Sequence, residues 1–178
     1  MDPTDNPVTN KDIWGSTAVF AIIGILLLLP LLFVYPDVDF LQSPQAIIAA
    51  SGIFWGVFSV FAFRTFWELY YQHFYPGWVR PLAPLNIFLY AAFGLILWFL
   101  ANRFNTVPVL VFILLGGIEG LLEHVIGVYS LRILDKVPVF NALTPGPVFI
   151  FSFFEYIVYW SIVAWLAVAL TKFLPQVF

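Results

Sequence analysis

Glu119, Glu123 and His124 fall within six residues of one another, in a stretch whose neighbours are glycine, leucine, isoleucine and valine. A charge at the centre of a bilayer costs about 2.5–3.5 kcal/mol on insertion scales, so acids and imidazoles in such surroundings mark functional sites by default. Four more ionisable side chains share the setting. Arg64, Glu68 and His73 lie toward the end of a second apolar stretch, and Glu155 lies early in the last one.

Glu119 and Glu123 are four residues apart and share a helical face. Two carboxyl groups this close in a low-dielectric setting cannot both ionise cheaply. Either a proton stays on the pair or a cation sits beside it. The cation reading makes Glu68, His73, Glu119, Glu123, His124 and Glu155 a carboxylate–imidazole ligand set for a divalent metal, with iron, manganese or zinc suited to it. The intervals depart from known di-metal bundles, which carry Glu-x-x-His twice. Here Glu68 to His73 and Glu119 to His124 are both five apart. The proton reading makes Glu119, Glu123, His124 and Glu155 an acid–base site acting on a lipid or isoprenoid-like substrate. A third reading is not catalytic: an accessory subunit whose glycine and acid face packs against partner helices. Bland explanations stand beside all three. Arg64 and Glu68 can pair with each other at i, i+4. His73, beside Tyr75 and Trp78, can be an interfacial side chain. Glu155, with Ser152 and Tyr159 on its face, can be a satisfied buried acid.

Five apolar helices have to position these groups, at about 13–35, 45–74, 84–102, 107–131 and 148–172. Each approaches the roughly 20 residues that cross a hydrocarbon core of about 30 Å. The expected fold is therefore all-α: a polytopic bundle of five transmembrane helices forming one domain over 13–178, behind an N-terminal tail over 1–12. Tyr35-Pro36-Asp37 and Tyr75-Pro76-Gly77 end the first two helices, and Ser43-Pro44 opens the second. Asn105 and Thr106 are expected to cap the fourth, ahead of Pro108. Thr144-Pro145-Gly146-Pro147 is expected to separate a short amphipathic connector, 131–143, from the fifth. Pro30 predicts a local kink in the first.

An odd number of crossings brings Glu68, His73, Glu119, Glu123, His124 and Glu155 into one leaflet. On the fourth helix, at 100° per residue from Glu119, Glu123 falls near 40°, His124 near 140° and Gly116, Gly120 and Gly127 near 60–100°. Leu114, Ile118, Leu121, Leu122 and Val125 occupy about 200–300°. The polar face is expected to look into the bundle and the aliphatic face into lipid. The glycines either admit a neighbouring helix or leave room for a substrate.

Lys11, Arg80, Arg132 and Lys136 lie on the N-terminal side, against Arg103 and Lys172 on the other. That bias predicts a multi-pass protein of the cell membrane with a cytoplasmic N-terminus and the C-terminus on the opposite side. Trp14, Tyr75, Trp78 and Trp98 near helix ends fit interfacial belts. Asp2, Asp5 and Asp12 near the start argue against a cleavable signal, which needs a basic leader.

Composition agrees: 62% of residues are hydrophobic and 10% charged, against about 25% charged in soluble domains. No cysteine is present, which excludes thiolate metal sites, iron–sulfur clusters and haem c within this chain. A net charge of −3 with no basic tract excludes nucleic acid as a partner. Membrane lipids are the expected partners, with further membrane subunits or a second copy of the chain beside them. No phosphate-binding glycine loop or nucleophile elbow occurs.

Overall fold

A computed structural model of the chain describes residues 9–34, 39–58, 78, 81, 83–104, 107–134 and 145–172. Its regular structure is all helical: α1 (Asn10–Val34), α2 (Pro44–Val57), α3 (Asn86–Ala101), α4 (Pro108–Val125) and α5 (Pro145–Thr171). Three helical stretches, Asn10–Phe33, Pro108–Ser130 and Gly146–Thr171, are long and apolar enough to cross a membrane. The helices Pro44–Val57 and Asn86–Ala101 are apolar but shorter.

The helix starts follow local chemistry. Thr9 and Asp12 form a reciprocal cap: the Thr9 backbone N–H donates to Asp12 Oδ2 at 2.9 Å, and the Asp12 N–H donates to Thr9 Oγ1 at 3.3 Å. This sets the start of α1 at Asn10, ahead of the boundary expected from hydropathy. Ser43 caps α2 through its hydroxyl, with Pro44 in the first turn, as its sequence predicts. At α4 the expectation differs. Its cap residue is Val107, which has no capping side chain, and Asn105 and Thr106 lie outside the described residues. The 144–147 break is also displaced, because Pro145 and Pro147 belong to the first turn of α5, where a missing N–H costs nothing. Of the expected connector, 135–143 lies outside the described residues.

α4 runs on as a π-turn over Ile126–Ser130 and then reverses. Arg132 adopts a left-handed φ of 51°, and the Ile133 and Leu134 N–H groups donate back to the Gly127 carbonyl. Leu134 is thereby folded against Gly127.

α5 is the hub. It packs against α1, α2 and α4, while α3 packs on α2 and more sparingly on α4. Indole N–H groups tie backbone carbonyls into this frame. α1 continues through Pro30, which lacks an N–H, and Trp165 donates to the Leu27 carbonyl in the turn preceding it at 3.0 Å. Trp98 donates to the Leu41 carbonyl at 2.6 Å and anchors the 39–42 turn to the end of α3.

Candidate functional site

The site begins where α4 and α5 touch. A Cβ on Gly116 would overlap the indole of Trp160, and one on Gly120 would overlap the ring of Tyr156. Gly117 lies against Phe153 and Ile157. Between the two uses of glycine left open by the sequence, close packing is the one realised, because aromatic rings of α5 fill the space. This contact slides Tyr156 and Trp160 alongside the acids of α4.

Glu123 Oε2 accepts hydrogen bonds from two phenols. One is Tyr156, at 2.8 Å, and the other is Tyr90, brought in by α3. The two phenol oxygens are 2.9 Å apart. Tyr90 is held in turn by Trp55 of α2, stacked at 3.6 Å between centroids with the planes 13° apart. Three helices thus meet at one carboxyl group, and α2 backs one of its donors. Glu119 sits against Glu123 and accepts from the Trp160 indole N–H through Oε2 at 3.2 Å. Its Oε1 is buried and has no hydrogen-bond partner among the described residues.

His124 is buried, with Nδ1 2.7 Å from the Gly120 carbonyl oxygen. A carbonyl only accepts, so Nδ1 carries the hydrogen. The imidazole meets the Tyr156 ring edge-on, with centroids 5.5 Å apart. Glu155 accepts from the Tyr159 hydroxyl at 2.6 Å and lies close enough to His124 to interact with it electrostatically. Ser152, expected on the same face, bonds instead to the Val148 carbonyl of its own helix at 2.9 Å.

The sequence-predicted residues are therefore joined unevenly. Glu119 and Glu123 form a direct pair. His124 approaches them by way of the Tyr156 ring, and Glu155 interacts electrostatically with both His124 and Glu123. Arg64, Glu68 and His73 lie outside the described residues. Among the described residues, no three histidine, aspartate or glutamate side chains converge as metal ligands. What the pair can do is hold a proton and exchange it with a hydrogen-bonding partner.

Sequence reasoning missed Tyr90, Tyr156 and Trp160. The signal available was depth: a phenol or indole well inside an apolar helix needs a polar partner, unlike those in an interfacial belt. Tyr156 also falls four residues before Trp160, so both lie on one face of the last helix.

An apolar cleft of about 720 Å³ opens beside the pair, between α3, α4 and the returning 131–134 segment. Phe93, Ile96, Ile118 and Leu122 line it, and Glu119 and Glu123 stand in its wall. Ile96, Ile118 and Leu122 are about half exposed, so the cleft opens sideways on the surface that α4 was expected to turn toward lipid. No family model, curated protein or solved structure matches this chain.

Proposed function

We propose that the chain is a multi-pass protein of the cell membrane, and that its Glu119–Glu123 pair is a proton-exchange site for acid–base chemistry on a lipid or isoprenoid-like molecule. Five crossings, with the N-terminus cytoplasmic, are the arrangement that the charge bias and the five apolar helices favour. The observation carrying the catalytic part is Glu119 Oε1: buried, unpartnered among the described residues, next to a second carboxyl group and at the wall of an apolar cleft. An acid positioned this way lines the cleft in which a reacting group would sit, while Tyr90 and Tyr156 hold its neighbour in place. In the same reading His124, packed edge-on against the Tyr156 ring, and Glu155, which interacts electrostatically with His124 and Glu123, complete the acid–base set around the pair.

A divalent metal on the wider set, Glu68 and His73 included, remains a competing proposal for the same acids. Metal analysis of the purified full chain separates the two. Stoichiometric iron, manganese or zinc would replace proton exchange with metal-assisted chemistry. In the accessory-subunit alternative, the glycines of α4 would admit a partner helix; Trp160 and Tyr156 of the same chain cover Gly116 and Gly120, which favours a site over a docking face.

Infrared difference spectroscopy tests the proton-exchange reading directly. The full chain should show a carboxylic acid C=O band that shifts in heavy water and is lost in Glu119→Gln or Glu123→Gln. A wild-type spectrum without that band, or a band indifferent to both substitutions, overturns the reading.

A further inference from the structure

The cleft between α3 and α4 is chemically lopsided, which narrows what can enter it. Its wall is apolar, and the ionisable side chains among its described lining residues are Glu119 and Glu123 alone. No lysine or arginine stands among those lining residues. Its volume, about 720 Å³, lies within the roughly 300–1,000 Å³ typical of small-molecule sites. Behind that wall, Glu119 Oε1 is buried with no hydrogen-bond donor among the described residues, so the acid end of the cleft is short of donors. A phosphate or carboxylate head would meet two acids in a setting of low dielectric, where like charges repel strongly. A hydroxyl or ammonium head would find hydrogen-bond acceptors in the two carboxyl groups of that wall.

We infer that this cleft binds a single-chain amphiphile with a hydrogen-bond-donating, non-anionic head, its hydroxyl or ammonium group on Glu119 and its tail along Ile96, Ile118 and Leu122. The assignment names the substrate class of the proposed site, and rests on that reading for the membrane setting of the cleft. Lateral access explains why the outer rim is half exposed while the acids lie deeper. Trp78 at the cleft provides an internal reporter.

The test uses the full chain in phosphatidylcholine nanodiscs and three brominated probes with the same saturated tail: an alcohol, an amine and a carboxylic acid. Bromine quenches indole fluorescence on contact, and the component of the signal lost in Trp78→Phe isolates quenching at the cleft. Alcohol and amine should quench saturably, each at least about tenfold more tightly than the acid, a difference of about 1.4 kcal/mol. Unbrominated oleyl alcohol should relieve the quenching. Glu119→Gln, which keeps an acceptor but replaces the carboxyl group nearest the head with a neutral amide, should weaken the amine about tenfold and change the alcohol far less.

Equal affinity for the acid, or quenching that only tracks probe concentration in the bilayer, overturns the assignment. So does disulfide crosslinking of Ile118→Cys between copies in native membranes, which would show a second chain seated in the cleft. The infrared experiment separates this failure from that of the parent reading. Head-group selectivity without a carboxylic acid band removes proton exchange and leaves the binding site; the band without selectivity does the reverse.

Discussion

At the residue scale, the Glu123 carboxyl is tightly constrained, because two phenols from two helices donate to the same oxygen. A hydrogen bond between transmembrane helices is worth on average about 0.6 kcal/mol and at most about 1.7 kcal/mol. Tyr90→Phe and Tyr156→Phe should each destabilise the folded chain within that range. Their effects should not add, since the phenol oxygens also touch each other and removal of one donor changes what the other faces. A double-mutant cycle, measured by reversible unfolding in mixed micelles, is expected to give a coupling of at least about 0.5 kcal/mol. Strict additivity would mean that the two phenols act on Glu123 independently, against the shared geometry. Trp160→Phe probes the other acid. It removes the one hydrogen-bond donor to Glu119 among the described residues, and should shift the infrared band of that carboxyl without abolishing it.

At the element scale, the decisive contact is α4 against α5, where glycine backbones meet aromatic rings. Gly120→Ala places a methyl group inside the Tyr156 ring. Overpacking of this kind costs about 1–3 kcal/mol, and the displaced ring also carries one of the donors to Glu123. Gly15→Ala is the control, since it sits in α1 with open space around it and should stabilise the helix by about 0.5–1 kcal/mol. Thermal unfolding in detergent reads both, and a matching loss at the two positions would remove the packing argument. The orientation of α4 was legible in the sequence because its polar and aliphatic residues segregate with helical period. Leu114, Ile118 and Leu122 are exposed and Gly116, Gly120 and His124 are buried, as the wheel predicts. The Glu119–Glu123 pair was equally legible, being local to one helix. Tyr90 was not. α3 is apolar on every side, so its period does not say which residue faces inward, and its phenol meets a carboxyl 33 positions away. The start of α5 was misread for another reason. Two prolines in a row of small residues look like a break, yet they fit the first turn of a helix.

At the scale of the whole molecule, everything depends on the number of crossings. Three helical stretches are long and apolar enough to cross a membrane, while α3, at 16 residues, spans only about 24 Å. A helix that short can still cross if the bilayer thins locally or flanking side chains reach outward, at a modest cost per ångström of mismatch. With five crossings, Thr9 lies on the cytoplasmic side, and Asn102 and Lys172 lie together on the other. If α2 and α3 instead rest within the bundle without crossing, α1, α4 and α5 cross alone. Asn102, just before α4, then still lies opposite Thr9 if the chain does not otherwise return, so the discriminating position is Trp78, between α2 and α3 in the sequence. The chain offers an unusually clean test, because it contains no cysteine and every labelled thiol will be one deliberately introduced. Single cysteines replacing Thr9, Trp78, Asn102 and Lys172 should react with a membrane-impermeant maleimide in two groups. Thr9→Cys and Trp78→Cys are expected to label only from the cytoplasmic face, with Asn102→Cys and Lys172→Cys labelling only from the opposite face. Trp78→Cys labelling together with Asn102→Cys would reduce the crossings to three. The cleft between α3 and α4 would then open toward an interface instead of the acyl chains, and a lipid tail could no longer reach Glu119 from the side.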